Sequence, residues 1–400
     1  MLKRDAQDLQ PRLVEWRRAL HRIPEVGLHL PETRSCLQCA LEEMGFSCRL
    51  HRTSSSLEVL IPGTAPGPVI ALRADMDALP VREQTGLPFA SDNGAMHACG
   101  HDAHMAMLLG AAALLRGRDF SGCVKCLFQA GEEGYDGAQH MVDEGALDHP
   151  RVEAVLGLHV TNAVPELEPG FIGVRSGPLM AGSDAFQITV LGKSGHISDI
   201  HHVRNPIFAA ASIARSIQGL GQRHQAADGS VISLGSVHGG ARGNAVPDTV
   251  EMQGSIRTFD PGCRDAVLAE LEQLLARCEG ESGCRCALQI PESTAVVVND
   301  PLFTRQVSGG LRALFEAEFV PLTSTLMASD DISAFFQRRK GCYLHLGCGF
   351  SPGTDPHPLH NSGFTLNESV LWRGSAALAQ GALTWLALQK DSPDDPAGGR

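Results

Sequence analysis

The sequence predicts an α/β sandwich into which a smaller, ferredoxin-like α+β unit is inserted. Three apolar runs that end in loops, at residues 68–75, 123–133 and 154–160, are typical of strands buried in a sheet. Residues 105–115 are apolar on nearly every helical face, which suits a helix packed against that sheet. After residue 179 the pattern changes to half-buried strands and amphipathic helices. We therefore expect two domains, as is usual for a chain of 400 residues.

The first domain is expected to be discontinuous. It comprises residues 1–178 and 293–400, and residues 179–292 form the inserted unit. Apolar side chains at helical spacing predict an amphipathic helix near the N-terminus, with Leu9, Leu13, Trp16 and Leu20 on its packed face. The polar tail at 391–400 is expected to be disordered.

In the inserted unit, apolar and polar residues alternate, whereas the predicted strands of the first domain are continuous apolar runs. Phe186, Ile188 and Val190 are separated by single polar residues, as in a strand with one buried face. Residues 206–220 and 266–278 have helical periodicity. The predicted strands lie at 186–192, 230–238, 248–259 and 284–290. Their order, β-α-β-β-α-β, is that of a split βαβ layer in which two helices cover one face of a four-stranded sheet.

Composition excludes several classes of partner. The formal charge is −12 and no Lys/Arg stripe is present, so neither nucleic acid nor an anionic membrane surface is an expected partner. The chain lacks an apolar run of about 18 residues and its N-terminal segment has no secretory apolar region. The 12 cysteines are therefore expected to be thiols or metal ligands, rather than disulfides, in a cytoplasmic protein. The pairs Cys36/Cys39 and Cys123/Cys126 are interpreted as buried thiols within a helix and a strand.

The strongest local motif is MHACGHDAH at residues 96–104. It concentrates a thiol, three imidazoles and a carboxylate in nine residues directly before a predicted helix. Cys99 and His101 can face one site from a loop that Gly100 interrupts, and a thiolate can bridge two borderline-soft metal ions. The alternative is a polar helix N-terminus with a buried cysteine.

Two adjacent carboxylates, Glu132 and Glu133, follow the second predicted strand. Side chains of neighbouring loop residues diverge, so Glu133 can bind a metal ion while Glu132 acts as general base on water. Amide hydrolysis needs this division of roles. Two solvated loop acids would be the simpler explanation if the pair stood alone.

Single histidines, His159 at the end of a strand and His360 near the C-terminus, are weak signals by themselves. Together with Cys99, His101 and Glu133, however, they form a ligand set for two divalent ions per subunit. Open α/β sheets place their sites at such strand ends. Thiolate and imidazole favour Zn²⁺, whereas carboxylates also suit Mn²⁺. The charge of two such ions would attract a substrate that carries a carboxylate.

The chain resembles the branch of M20 metallopeptidases that contains aminoacylases, hippurate hydrolases and auxin-conjugate hydrolases. The motifs follow the family's order over almost the whole chain: ALRADMDALP (71–80), MHACGHDAH (96–104), FQAGEEG (128–134), GLHV (157–160), SGPLMAGSD (176–184), SGHISDIHHVRNPI (194–207), NAVPDTVEMQGSIRTF (244–259), ASDDISAFF (328–336) and PLHNSGFTLNE (358–368). The resemblance implies a catalytic metal-binding domain whose inserted unit serves as lid and dimerisation domain. It implies the same metal ligands, with Cys99 bridging, and Glu132 as the base.

Other roles come from the resemblance alone. It implies that His196 polarises the scissile carbonyl and that Asn244 and Arg257 hold substrate or oxyanion. Asp75 and Asp77 occupy positions at which the family keeps acids that orient the metal ligands.

The sequence thus predicts an amidohydrolase that cleaves small N-acyl amino acids into a carboxylic acid and an amino acid. Water activated by two metal ions would attack the amide, with Glu132 as general base. The alternatives are a dipeptidase on the same scaffold, which requires a free amino group, and a catalytically silent, metal-stabilised binding protein. A homodimer formed through the lid domain is expected.

Overall fold

The computed structural model describes residues 1–350 and 357–390, and the chain divides into two units. The first unit contains Met1–Gly177, Val298–Ser324 and the chain from Asp331 onward, and the second contains Pro178–Val297 and Thr325–Asp330. The predicted disorder of the C-terminal tail concerns residues outside the described ones.

The helices alternate with strands along most of the chain. They are α1 (Leu2–Asp8), α2 (Gln10–His21), α3 (Pro31–Glu43), α4 (His101–Leu115), α5 (Gly137–Asp143), α6 (Pro206–Asp228), α7 (Pro261–Ser282), α8 (Pro301–Phe315), α9 (Ser333–Phe336) and α10 (Leu371–Lys390), with 3₁₀ turns at Glu316–Glu318 and Glu368–Val370. The helices α6 and α7 belong to the second unit, and the others belong to the first.

The strands form one large and one smaller sheet, together with short ribbons. They are β1 (Cys48–Leu50), β2 (Leu57–Pro62), β3 (Ala65–Asp75), β4 (Ser121–Gln129), β5 (Ala154–Thr161), β6 (Ile172–Val174), β7 (Gly177–Met180), β8 (Gly182–Leu191), β9 (Gly195–His196), β10 (Val231–Gly239), β11 (Ala245–Val246), β12 (Thr249–Thr258), β13 (Arg285–Thr294), β14 (Val297–Asn299), β15 (Phe319–Pro321) and β16 (Lys340–Gly347).

The eight-stranded sheet of the first unit has the order β1-β2-β4-β3-β5-β16-β6-β15. Its central strands β4, β3, β5 and β16 run parallel to one another. Their carboxyl ends therefore lie at one edge of the sheet, which is where polar side chains from separate loops can meet.

Helix α4 is buried along nearly its whole length, as its apolar sequence predicts. It packs with α2 and α10. The predicted N-terminal helix is present as α2, and its Leu13, Trp16 and Leu20 are buried. Leu9, however, precedes α2, and Pro11 stands in the first turn of α2. Because proline has no backbone N–H, α1 and α2 are separate helices at this point.

The second unit consists of a four-stranded antiparallel sheet, in the order β10-β12-β8-β13, with α6 and α7 packed on it. Its helices carry strong start and stop signals. Asn205 and Asp260 cap their N-termini through side-chain oxygens, and Gly229 and Gly283 end them in the left-handed conformation. The predicted fold class, an α/β sandwich with an inserted α+β unit, is confirmed.

Among the helices of the described residues, none combines the length and the apolar character that crossing a membrane requires.

Candidate metal centre

A glycine shapes the loop that carries two of the predicted ligands. Gly100 has φ +85° and caps the N-terminus of α4, so that His101 is the first helical residue and Cys99 lies just before the turn. A Cβ atom at this position would lie 2.5 Å from Cγ2 of Val160. Only glycine allows both the positive φ and the close approach.

The loop after β4 is held by one carboxylate. The side chain of Asp77 accepts hydrogen bonds from the backbone N–H of Glu132, at 2.9 Å, and of Glu133, at 3.0 Å. Strand β4 ends at Gln129, before this pair, and Gly131 has φ +79°. Asp77 therefore fixes the backbone of both glutamates. Their side chains do not diverge as the sequence predicted, because Oε2 of Glu132 and Oε1 of Glu133 lie 3.8 Å and 3.9 Å from the same atom, Nε2 of His101.

His360 reaches the site in an unusual backbone conformation. Its φ is +68°, in the left-handed region that non-glycine residues rarely occupy, which costs about 1–3 kcal/mol. Its N–H donates to the carbonyl of Ala98 at 2.8 Å, which ties its loop to the Cys99 loop. The imidazole is 54% exposed, so the site is open to solvent on this side.

The five predicted ligands come together around one sulfur atom. Cys99 forms one group with His101 and His159 and a second group with Glu133 and His360, and within each group the ligand atoms lie within 4.8 Å of one another. The Cys99 Sγ lies 3.6 Å from Nε2 of His159 and 3.3 Å from Nε2 of His360. Because the two groups share the sulfur, the geometry suits two ions bridged by one thiolate.

The imidazoles are oriented by their second nitrogen atoms. Nδ1 of His101 donates to the backbone carbonyl of Asp77 at 2.8 Å, and Nδ1 of His159 donates to that of Val160 at 2.5 Å. When the ring is neutral, as a metal ligand must be, this leaves the lone pair on Nε2, the atom that faces the site. Within the described part of the chain, the buried Nε2 of His101 has no hydrogen-bond partner.

The chemistry of these donors fits divalent cations. Burial, reinforced by the carboxylates of Glu133 and Glu132, raises the pKa of the Cys99 thiol well above its usual range. Burial opposes charge on His101, but the carboxylates of Asp75, Asp77 and Glu133 together outweigh it and raise the pKa of His101 to about 10. The site thus carries an excess of negative charge, and a thiolate needs a cation beside it. A thiolate with imidazoles and a carboxylate is a common zinc-binding set.

His104 supports the centre, a role that the sequence did not predict. Its Nδ1 donates to Oδ1 of Asp75 at 2.6 Å, and its Nε2 accepts from the N–H of Val160 at 2.9 Å. Both ring nitrogens of His104 therefore take part in hydrogen bonds. The side chains of Asp75, His101 and His104 also lie close enough together to hold a metal ion, but these hydrogen bonds make His104 a supporting group rather than a ligand. The buried Arg73 donates to Oδ2 of Asp75 at 2.8 Å and fixes the carboxylate from the other side.

The remaining predicted residues lie in the second unit. His196 is in β9, which pairs with β11, and its exposed ring contacts the Ser198 hydroxyl through Nδ1 at 2.6 Å. Asn244 precedes β11, and its carbonyl accepts from the N–H of Ile197. The guanidinium of Arg257 donates to Oγ of Ser329 at 2.6 Å. Their roles toward a substrate stay predictions.

Comparison with known proteins shows similarity over nearly the whole chain. The sequence profile of peptidase family M20/M25/M40 matches residues 71–384. Thermostable carboxypeptidase 1 of Saccharolobus solfataricus is 35% identical over 386 residues, 94% of this chain and 96% of that protein. N-acetyl-L-cysteine deacetylase of Bacillus subtilis is 32% identical, over 96% of this chain and 90% of that protein. The crystal structure of the YXEP protein of Bacillus subtilis, described as a dinuclear metal-binding peptidase of the M20 family, aligns with a TM-score of 0.81 and 32% identity, over 96% of this chain and 99% of that chain.

Proposed function

The chain belongs to peptidase family M20/M25/M40 and is a metallohydrolase that acts on amide bonds; from this premise we propose that its substrates are small N-acyl amino acids. The observation that carries the proposal is the pair of ligand groups that share Cys99, with the carboxylate of Glu132 beside them. The deacetylase among the relatives supports an N-acyl substrate.

We propose that the centre holds two divalent ions, Zn²⁺ or Mn²⁺, bound by Cys99, His101, Glu133, His159 and His360. Such ions polarise an amide carbonyl and lower the pKa of water. The remaining steps use the protein's own groups. Glu132 accepts a proton from the attacking water and transfers it to the leaving nitrogen as the C–N bond breaks, which yields a carboxylic acid and an amino acid.

The position of Glu132 suits this role. Its Oε2 lies 3.8 Å from Nε2 of His101, at the edge of the ligand groups, and its side chain is 10% exposed. A carboxylate that is largely shielded from water but close to the reacting atoms can exchange a proton without being solvated. Asp77, which accepts from the backbone N–H of Glu132, keeps it in place.

We further propose that His196 polarises the substrate carbonyl, that Asn244 and Arg257 bind substrate, and that the protein is a cytoplasmic homodimer. The family resemblance supports the roles of these residues and the homodimer. The cytoplasmic location is supported by the 12 cysteines, which are all free thiols, as is usual in a reducing compartment. Strand β10 is an edge strand of the four-stranded sheet, and such an edge can pair with a second copy. A monomeric mass in light scattering would contradict the homodimer.

A hydrolysis panel tests the substrate class. We expect the metal-loaded protein to release amino acid from at least one of the N-acetyl, N-benzoyl or N-indoleacetyl amino acids. Its kcat/KM for that substrate should exceed the value for dipeptides with a free amino group by about tenfold or more, a difference of about 1.4 kcal/mol. Release is measured as new primary amine. Preference for dipeptides would favour the dipeptidase alternative, and no turnover of any compound would favour a silent binding protein.

A further inference from the structure

A cluster of buried charges lies next to the metal centre and takes no part in the proposed reaction. Arg17 and His21 come from α2 and Asp102 comes from the first turn of α4. Arg17 is 2% exposed, His21 is 1% exposed and Asp102 is fully buried. Nε of Arg17 donates to Oδ2 of Asp102 at 2.6 Å, and Nδ1 of His21 donates to the same oxygen at 2.8 Å.

The two donors are themselves held from the opposite side. Nε2 of His21 lies 3.2 Å from Oε1 of Glu83, and Nη1 of Arg17 lies 3.2 Å from Oε1 of Glu368. Glu368 also pairs with Arg18 at 2.5 Å. Asp102 therefore contacts two side chains whose own positions are fixed, so its carboxylate has little freedom to move.

Burial of such a cluster is costly, and apolar residues of similar volume often stabilise a core equally well. A positioning role gives a reason for the cluster to exist here. Asp102 directly follows the ligand His101, and Cys99 lies just before the same helical turn. Any shift of this turn would change the distances from both ligands to their ions.

We infer that Arg17 and His21 are positioning residues, which fix Asp102 and thereby hold Cys99 and His101 at the separation that metal binding requires. The inference rests on the proposed metal centre. Helix α2 contributes none of the proposed ligands, but through Asp102 it would affect the affinity for metal.

The test compares two buried ion pairs. Arg17→Lys keeps the charge but removes the Nε donor. The control is Lys125→Met, because Lys125 is equally buried and pairs with Glu58 at 3.0 Å, while its other partners are the carbonyls of Ala146 and His149. None of these is a predicted ligand. Zinc affinity is measured by competition with a chromophoric chelator, and circular dichroism monitors the fold.

We expect Arg17→Lys to weaken zinc binding by about 10- to 100-fold, the usual effect of losing a group that orients a metal ligand. Lys125→Met should bind zinc as the wild type does, although both variants unfold at lower temperature. If both variants bind zinc like the wild type, the inference is wrong. If Arg17→Lys does not fold, His21→Gln is measured in its place and is held to the same criterion.

The readout separates this inference from the proposed function, because zinc competition requires no substrate. A wild-type protein that binds zinc tightly but hydrolyses no amide would contradict the proposed function and leave the comparison of variants valid. Excess zinc should restore kcat of Arg17→Lys toward the wild-type value. A variant that is saturated with zinc but stays slow would show that Arg17 acts in some other way.

Discussion

Glu132→Gln is expected to retain the fold and the bound metal but to lose about 10²- to 10⁴-fold in kcat, the range for a removed general acid–base. The amide of glutamine has the same shape as the carboxylate but cannot accept a proton from water. The backbone N–H of residue 132 still donates to Asp77, so the loop should keep its conformation. Steady-state kinetics with an N-acyl amino acid and metal analysis of the same sample provide the measurement.

The neighbouring glutamate supplies the matched control. Glu133 shares a ligand group with Cys99 and His360, so Glu133→Gln should lose metal affinity first and activity as a consequence. Added metal should then restore part of its activity, whereas Glu132→Gln should not respond. The reverse pattern would show that the base and the ligand are exchanged.

Cys99→Ala should have the second large effect. It removes the one atom that both ligand groups share and leaves each group with two side chains. We expect metal content to fall below two ions per chain and activity to fall by at least about 10³-fold, since loss of a single electrostatic group at a reacting centre already costs about 10²- to 10³-fold. Metal analysis after dialysis, together with the rate of amide hydrolysis, measures both quantities.

Cys126→Ala is the control for this substitution. Cys126 is a fully buried thiol in β4, and it belongs to none of the potential ligand groups that the described residues form. Its replacement leaves a small cavity and lowers stability, but metal content and turnover should stay at wild-type levels. A Cys99→Ala protein that behaves like this control would contradict a bridging role for Cys99.

The sequence predicted those parts of the site that depend on residues close together in the chain. Cys99 and His101 lie on either side of one glycine, and Glu132 and Glu133 are adjacent, so both pairs were visible as motifs. His159 and His360 became candidates only in combination with them. The partners of Asp102 were not predicted. Arg17 is 85 positions away in the sequence, and the spacing of apolar residues does not reveal which distant residues come into contact.

The same limit applies to the fold. The second unit was predictable because residues along β8 alternate between its two faces and because its helices carry proline and glycine signals at their ends. Strands β6 and β15 have three residues each, which is too short for any alternation to appear. Strand β16, by contrast, is buried on both faces after Lys340, and a buried run without alternation does not distinguish a strand from a helix.

Anomalous diffraction at the absorption edge of the bound metal would locate the ions relative to Cys99. We expect two peaks in each chain, both within bonding distance of the Cys99 sulfur, one beside His101 and His159 and the other beside Glu133 and His360. A single peak, or two peaks of which one lies away from Cys99, would contradict the shared-thiolate centre.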